Sequence, residues 1–291
     1  MKTPRFDYHA PDTLEEALAL LAEHGDEAKL LAGGQSLVPL LAMRLARPAH
    51  LIDLNAVPAL DAIADRGEQV GLGALVRERA AERSSLVTGK LPVLAAALPH
   101  IGHVAIRNRG TIGGSIAHAD ASAELPTVAV ATDAELVLRS VRGERTVPAG
   151  DFFQGHFTTA MADDECLVEV RVPVTPPGAG WSFQEVARRH GDFAMVGVAA
   201  MVRLDGAGLV ADSRVAIMGV SDRAVRARDA EQALVGAKPT ADVFADVARD
   251  ATAGLEPASD IHGSAAYRRQ LAAVTIRRAL VEATELAGGP R

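Results

Sequence analysis

The sequence predicts an α+β protein of two domains, the first made of two small α/β subdomains and the second of strands followed by helices. Three observations carry that expectation. Strand-like and helix-like runs alternate through the first hundred residues. Pro173-Val174-Thr175-Pro176-Pro177-Gly178 opposes both helix and central strand and reads as a linker. Beyond it, three strand-like runs precede three helical ones without alternation. The expected boundaries are a first domain over 1–176, divided at about 56/57, and a second over 177–291.

Taken in order, Thr13-Leu14-Glu15-Glu16 fits a capping box, in which Thr13 accepts from a backbone N–H while Glu16 reaches back. Behind it Leu14, Ala17, Leu18 and Leu21 share one helical face, and Gly25 supplies a stop. Lys29 to Ala32 reads as a short buried strand ending at Gly33-Gly34. Ser36 is placed to cap a helix with Pro39 in its first turn, running to about Ala46. Leu51 to Leu54 is the next strand, so strand, helix, strand, helix and strand fall within 55 residues and predict parallel pairing.

Val57-Pro58 opens the second unit. Glu68 to Gly73 predicts a strand, and Leu75 to Arg83 and Leu91 to Ile101 predict helices. Glu135 to Val141 and Glu144 to Val147 read as strands about a turn at Arg142-Gly143, and Glu165 to Val172 as another strand. After the linker come the strands Trp181 to Arg188, Met195 to Leu204 and Leu209 to Val220, the last two joined by the hairpin loop Asp205-Gly206-Ala207-Gly208. Helices are expected at about Asp229–Val235, Ala241–Ala251 and Ser264–Leu286.

Composition narrows the function. Among 291 residues, 48% are apolar and 23% charged, enough for a real core, and with aromatics at 3% that core is aliphatic. A formal charge of −7 argues against nucleic acid or an anionic membrane as main partner. The single cysteine, Cys166, excludes an internal disulfide, a four-cysteine zinc site and an iron–sulfur cluster held by this chain. The first residues lack the apolar core of a signal peptide, and no apolar run suggests a membrane span. A cytoplasmic protein is expected.

Two glycine pairs carry the strongest chemical signal. One is Leu30-Leu31-Ala32-Gly33-Gly34-Gln35-Ser36-Leu37, where a strand turns directly into a helix; the other is Thr111-Ile112-Gly113-Gly114-Ser115. Paired glycines let backbone N–H groups converge on an anion that no Cβ keeps away, and the helix after the first pair adds its positive end. Ser36, Thr111 and Ser115 offer hydroxyls for phosphate or ribityl oxygens. Two such loops, one per subdomain, could grip a pyrophosphate from both sides. Alternatively, each pair is only a tight turn. Neither has the lysine of a P-loop or the spacing of a G-x-G-x-x-G fingerprint.

These two motifs resemble the FAD-binding motifs of the medium subunit of molybdenum hydroxylases, that of aerobic carbon monoxide dehydrogenase above all, with the xanthine dehydrogenase flavin domain more distant. Ile52-Asp53-Leu54-Asn55, Ile116-Ala117-His118-Ala119-Asp120 and Ala265-Ala266-Tyr267-Arg268-Arg269 are similar to that family too, and the resemblance spans essentially the whole chain. It implies a vanillyl-alcohol-oxidase (PCMH)-type domain with non-covalent FAD between two α/β subdomains, and a C-terminal domain of three-stranded antiparallel sheet and helices. It also implies a small partner with two [2Fe–2S] clusters and a large partner with the molybdenum cofactor, in a heterotrimer that is itself doubled.

By the same resemblance Glu124 falls where xanthine dehydrogenase has a flavin-contacting Asp, though it could simply cap the helix near Leu125. Leu167 falls where an aliphatic residue packs on the flavin ring, with ordinary core as the alternative. Phe193, in Arg188-Arg189-His190-Gly191-Asp192-Phe193, falls where an aromatic approaches the isoalloxazine, or else starts the next strand from the core. Gln184 replaces a Lys of xanthine dehydrogenase, and Gln35 a His of the carbon monoxide enzyme.

Other residues carry less. Nine histidines are scattered without metal-type spacing, and His100 and His103 lack a third ligand. Ser84-Ser85 and Ser122 have no nucleophile elbow. Cys166 reads as an inert buried thiol, and Arg268, Arg269, Arg277 and Arg278 as a basic helix face, either solvated or a subunit contact. The expected function is FAD-dependent electron transfer from partner iron–sulfur clusters to an external acceptor, with no catalytic dyad of the chain's own. A self-sufficient flavin oxidase of the same fold and a scaffold without flavin are the alternatives.

Overall fold

The computed structural model describes residues 2–288; residues 1 and 289–291, the outer ends of the two expected domains, lie outside them. The N-terminal unit is a three-stranded sheet in the order Asp7–His9, His50–Asp53, Ala28–Leu31, parallel throughout as expected, with Tyr8 opposite Leu51 and Leu30 opposite Ile52. Helix Leu14–His24 starts as a capping box: Thr13 Oγ1 accepts from Glu16 N–H at 3.2 Å. The Glu16 carboxylate reaches back to Asp12 N–H at 3.1 Å, one residue ahead of the cap. Gly25, at φ +52°, ends it.

The next helix departs from expectation at both ends. It spans Leu37–Ala42 and makes no side-chain hydrogen bond to Ser36, whose backbone is itself helical. It stops early because Arg44 takes the left-handed conformation (φ +61°), which turns Leu45 and Ala46 N–H back onto Leu40 O.

The middle unit is a five-stranded sheet in the order Ile63–Asp65, Gln69–Gly73, Cys166–Pro173, Glu135–Ser140, Gly143–Pro148, antiparallel at every pair. Ser140 pairs with Gly143, so the tight turn is Val141-Arg142, one residue earlier than expected, and Gly143 takes φ +130°. The helix expected from Leu75 begins only at Glu78, because Ala74 and Val76 hold the segment Ile112-Gly113 with their carbonyls.

Beyond the linker the three long antiparallel strands are present as Ala179–Val186, Val196–Leu204 and Val210–Met218, and a two-residue strand, Val225–Arg226, adds a fourth at the edge. Period-2 alternation sends the two faces of this sheet to different cores. Val196, Val198, Ala200 and Val202 pack with Phe244, Ile276 and Leu280 of the C-terminal helices. Phe183, Ala199, Ala216 and Met218 pack on the middle unit, whose helix Glu124–Ala131 lies against these strands. The helix Ala265–Gly288 crosses so close that a Cβ on Gly180 would overlap Ala283 O and lie 2.9 Å from Ala283 C.

The N-terminal unit shares its core. Ala17, Leu18, Leu21, Ile52 and Leu54 pack with Val137, Cys166 and Val168 from the five-stranded sheet. Cys166 is 1% exposed, and burial pushes its thiol up to about 12, which leaves it an inert core residue.

Candidate functional site

The two glycine loops meet. Strand Ala28–Leu31 delivers Ala32 to Ser36, and Gly33 is set flush against the second loop's approach: a Cβ there would overlap Arg109 O and lie 2.9 Å from Gly110 Cα. Gly34 adopts φ +72°, open to glycine without strain. Gly113 is pressed on the middle sheet, where a Cβ would sit 2.6 Å from Ala74 Cα. A Cβ on Gly114 would be 2.6 Å from Thr111 Oγ1 and 3.7 Å from Ala32 Cβ, so the loops remain adjacent there too.

One side chain ties them together. Arg77 donates from Nη1 to Arg109 O and from Nη2 to Asn55 Oδ1, both at 2.6 Å. Asn55 Nδ2 in turn donates to Ala32 O at 2.9 Å. Asp53 receives Asn55 N–H at 2.9 Å and Tyr8 O–H at 2.7 Å. Burial works against ionised Asp53, but these hydrogen bonds and the Arg77 charge outweigh it and hold its carboxyl below the usual range. Sequence reading missed Arg77, which stands in Val76-Arg77-Glu78 with nothing to distinguish it from a surface arginine.

The loops differ in what their amides can do. Among the described residues, the N–H groups of Gly33, Gly34, Gln35 and Ser36 have no protein acceptor, and Gln35 Nε2 folds back onto Gly33 O at 3.0 Å. Four of the second loop's five amides are taken: Ile112 N–H by Val76 O, Gly113 N–H by Ala74 O, Gly114 N–H by Thr111 Oγ1 and Ser115 N–H by Thr111 O, at 2.9–3.1 Å; Thr111 N–H has no protein acceptor among the described residues. A run of four consecutive free donors therefore belongs to the first loop. The second contributes close approach and the Thr111 and Ser115 hydroxyls.

Beside the second loop lies a group of buried carboxyls that the sequence reading largely missed. Glu78 is 4% exposed with its carboxyl against Gly110, and neither its Oε2 nor that of Glu185 has a hydrogen-bond partner among the described residues. Burial, with the charge of Glu124 adding, raises Glu78 to about 8 and Glu185 to about 8. Glu124 opens helix Glu124–Ala131 and is raised to about 7, first by burial and further by Asp120. Glu185 Oε2 lies 3.7 Å from His100 Nδ1, and burial and then His190 lower the His100 pKa. Burial thus favours the protonated form of both Glu78 and Glu185. The orphaned oxygens face no protein donor, which suits a ligand that brings its own hydroxyl or N–H groups.

The remaining expected residues scatter. Leu30, Leu31 and Leu37 flank the first loop, half-buried. Leu167 is 4% exposed in the main core, at the register shift of its strand. Phe193 is 77% exposed, which corrects its reading as a core residue. Its loop lies over His103, whose Nδ1 would be 2.8 Å from a Cβ on Gly191. Gln184 hydrogen-bonds Glu282 on the C-terminal helix, as Ser182 does. The basic face is broken, because Arg268 is 8% exposed and donates to Met195 O and Asp260 at 2.7 Å, while Arg269, Arg277 and Arg278 are exposed.

Residues 4–175 match the family described as FAD binding domain in molybdopterin dehydrogenase, and 181–283 match the CO dehydrogenase flavoprotein C-terminal domain. The chain belongs to this family. A 6-hydroxypseudooxynicotine dehydrogenase complex subunit alpha of Paenarthrobacter nicotinovorans is 44% identical over 97% of this chain and 96% of its own length. The carbon monoxide dehydrogenase medium chain of Hydrogenophaga pseudoflava is 41% identical over 96% and 97%. Among solved structures, that organism's carbon monoxide dehydrogenase superposes with TM-score 0.95 at 43% identity, covering 97% of this chain and 98% of that one. Quinoline 2-oxidoreductase of Pseudomonas putida 86 superposes at 0.94 with 41% identity, covering 99% of each.

The chain is thus a medium, FAD-binding subunit of the molybdenum hydroxylase type, an oxidoreductase whose relatives are named as subunits of larger complexes. No helix among the described residues is long and apolar enough to cross a membrane. The residues present fit FAD: free amides for a pyrophosphate stand against a loop whose Gly113 and Gly114 carry no side chain, and buried carboxyl oxygens lacking donors lie alongside.

Proposed function

We infer that FAD binds non-covalently between the two loops and that this subunit relays electrons within a complex. The observation that carries the reading is the first loop's set of unpaired N–H groups, held against the glycines of the second by Arg77 and Asn55. Gly33, Gly34, Gln35 and Ser36 would hold phosphate oxygens, and Thr111 and Ser115 would supply hydroxyls to them or to the ribityl chain. Glu124, with Glu78 beside it, would accept from ligand hydroxyls or N–H, and by the family resemblance exposed Phe193 and the aliphatic Leu167 would belong to the isoalloxazine side. The linker Pro173–Gly178 is taken as the boundary between the FAD domain and the C-terminal one. Bound FAD would supply one-electron uptake from a small subunit with two [2Fe–2S] clusters, fed by a large molybdenum subunit, and release to an external acceptor. The protein's part would be to bind, orient and tune the flavin.

Acid precipitation should release all the yellow colour as FAD; flavin left in the pellet, or FMN in the supernatant, defeats non-covalent FAD. Anaerobic substrate should bleach the flavin only when the small and large partners are co-expressed. Rapid bleaching of the isolated chain would instead establish a self-sufficient oxidase.

A further inference from the structure

Outside the glycine loops the fold gathers three histidines that the sequence scatters. His9 ends the edge strand Asp7–His9, His50 opens the central strand His50–Asp53, and His24 closes the helix Leu14–His24. His9 Nε2 is 3.1 Å from His50 Nδ1. The rings of His24 and His50 stack at 3.6 Å and 4°. One ligand nitrogen from each ring lies within 4.8 Å of the others, and all three side chains are half-buried. Among the described residues none of the three is in an ion pair, so no carboxylate accounts for the grouping.

We propose that His9, His24 and His50 bind one divalent transition-metal ion, with zinc as the natural probe. Imidazole nitrogens hold Zn²⁺ at about 2.0–2.1 Å, and tetrahedral angles then put neighbouring nitrogens about 3.4 Å apart. The His9–His50 pair already has nearly that separation. His24 would complete the set by turning its nitrogen edge out of the stack. Three neutral nitrogen ligands select zinc, nickel, cobalt or copper over calcium and magnesium, which require oxygen. His9 also lines a surface depression with Pro11, Leu20 and Glu23, and water would complete the shell. Such an ion staples an exposed three-residue edge strand to both the helix and the central strand.

The test uses tag-free, FAD-loaded protein stripped with chelator and titrated with Zn²⁺ against a chromophoric competitor. One ion per chain should bind at micromolar affinity or tighter, and Co²⁺ should give the visible bands of a tetrahedral site. His9→Ala and His24→Ala should each weaken binding at least tenfold. Zinc at a hundredfold excess over its dissociation constant should raise the thermal midpoint by about 5 °C in the wild type and not in the double variant. His50→Gln gives a second reading where His50→Ala disturbs the strand. Millimolar affinity in the wild type, or unchanged affinity in both alanine variants, overturns the site.

Discussion

Gly33→Val should fold and purify colourless. The added side chain starts from a Cβ that overlaps Arg109 O and lies 2.9 Å from Gly110 Cα, and backbone cannot yield as a flexible side chain does. Relief comes from parting the loops, which stretches the Arg77 bridge to Asn55 and misaligns the free amides. FAD affinity should fall by at least about a hundredfold, whereas the overpacking should cost about 1–3 kcal/mol of stability, within an ordinary domain's margin. Equilibrium dialysis with FAD, alongside circular dichroism, measures both. Gly113→Val is the contrast: its Cβ would meet Ala74, so the loss should be in stability first. Wild-type flavin affinity in Gly33→Val would remove the first loop from the pyrophosphate.

The FAD-free protein should lose stability as pH rises from 5 to 9, and Glu78→Gln should abolish part of that loss. Glu78 ionises near 4.5 when unfolded and at about 8 when folded, so between these values the folded chain holds a proton that the unfolded chain has released. Folding therefore takes up protons, and stability present below about pH 4.5 is progressively lost as pH climbs to 8. A shift of this size corresponds to on the order of 5 kcal/mol. Glu185 and Glu124 act in the same direction and share the neighbourhood, so their effects overlap. Urea midpoints should show Glu78→Gln, a mimic of the protonated acid, gaining on the wild type from pH 5 to 8.5. A constant gap across that range would show Glu78 to be ionised in the fold.

Legibility followed the range of the interaction. The capping box at Thr13–Glu16, the hairpin at Ser140–Gly143 and the linker at Pro173–Gly178 are local, and neighbouring residues carry their physics. The glycine pairs were conspicuous because only glycine allows Gly34's φ and Gly33's contact. Their division of labour was hidden, since it depends on Ala74 and Val76 occupying the second loop's amides. Glu78 stands between Arg77 and Arg79, and Glu185 lies within the strand-like run Trp181 to Arg188, so nothing local marks either as a buried acid; their burial comes from tertiary packing. The histidine trio was passed over because its members share no element and no spacing. The strand Asp7–His9 is short and exposed, without the apolar alternation that marks a strand in sequence.

The sharing of Val137, Cys166 and Val168 with the N-terminal unit bears on how the protein is made. As the chain leaves the ribosome, the helix Leu14–His24 and the strand His50–Asp53 emerge with their apolar faces uncovered, and the surface that covers them is translated much later. The first glycine loop therefore gains a fixed base only after strand Cys166–Pro173 has entered the middle sheet. Cofactor loading therefore waits for that strand, and nascent chains arrested before Cys166 should take up no flavin however much is supplied.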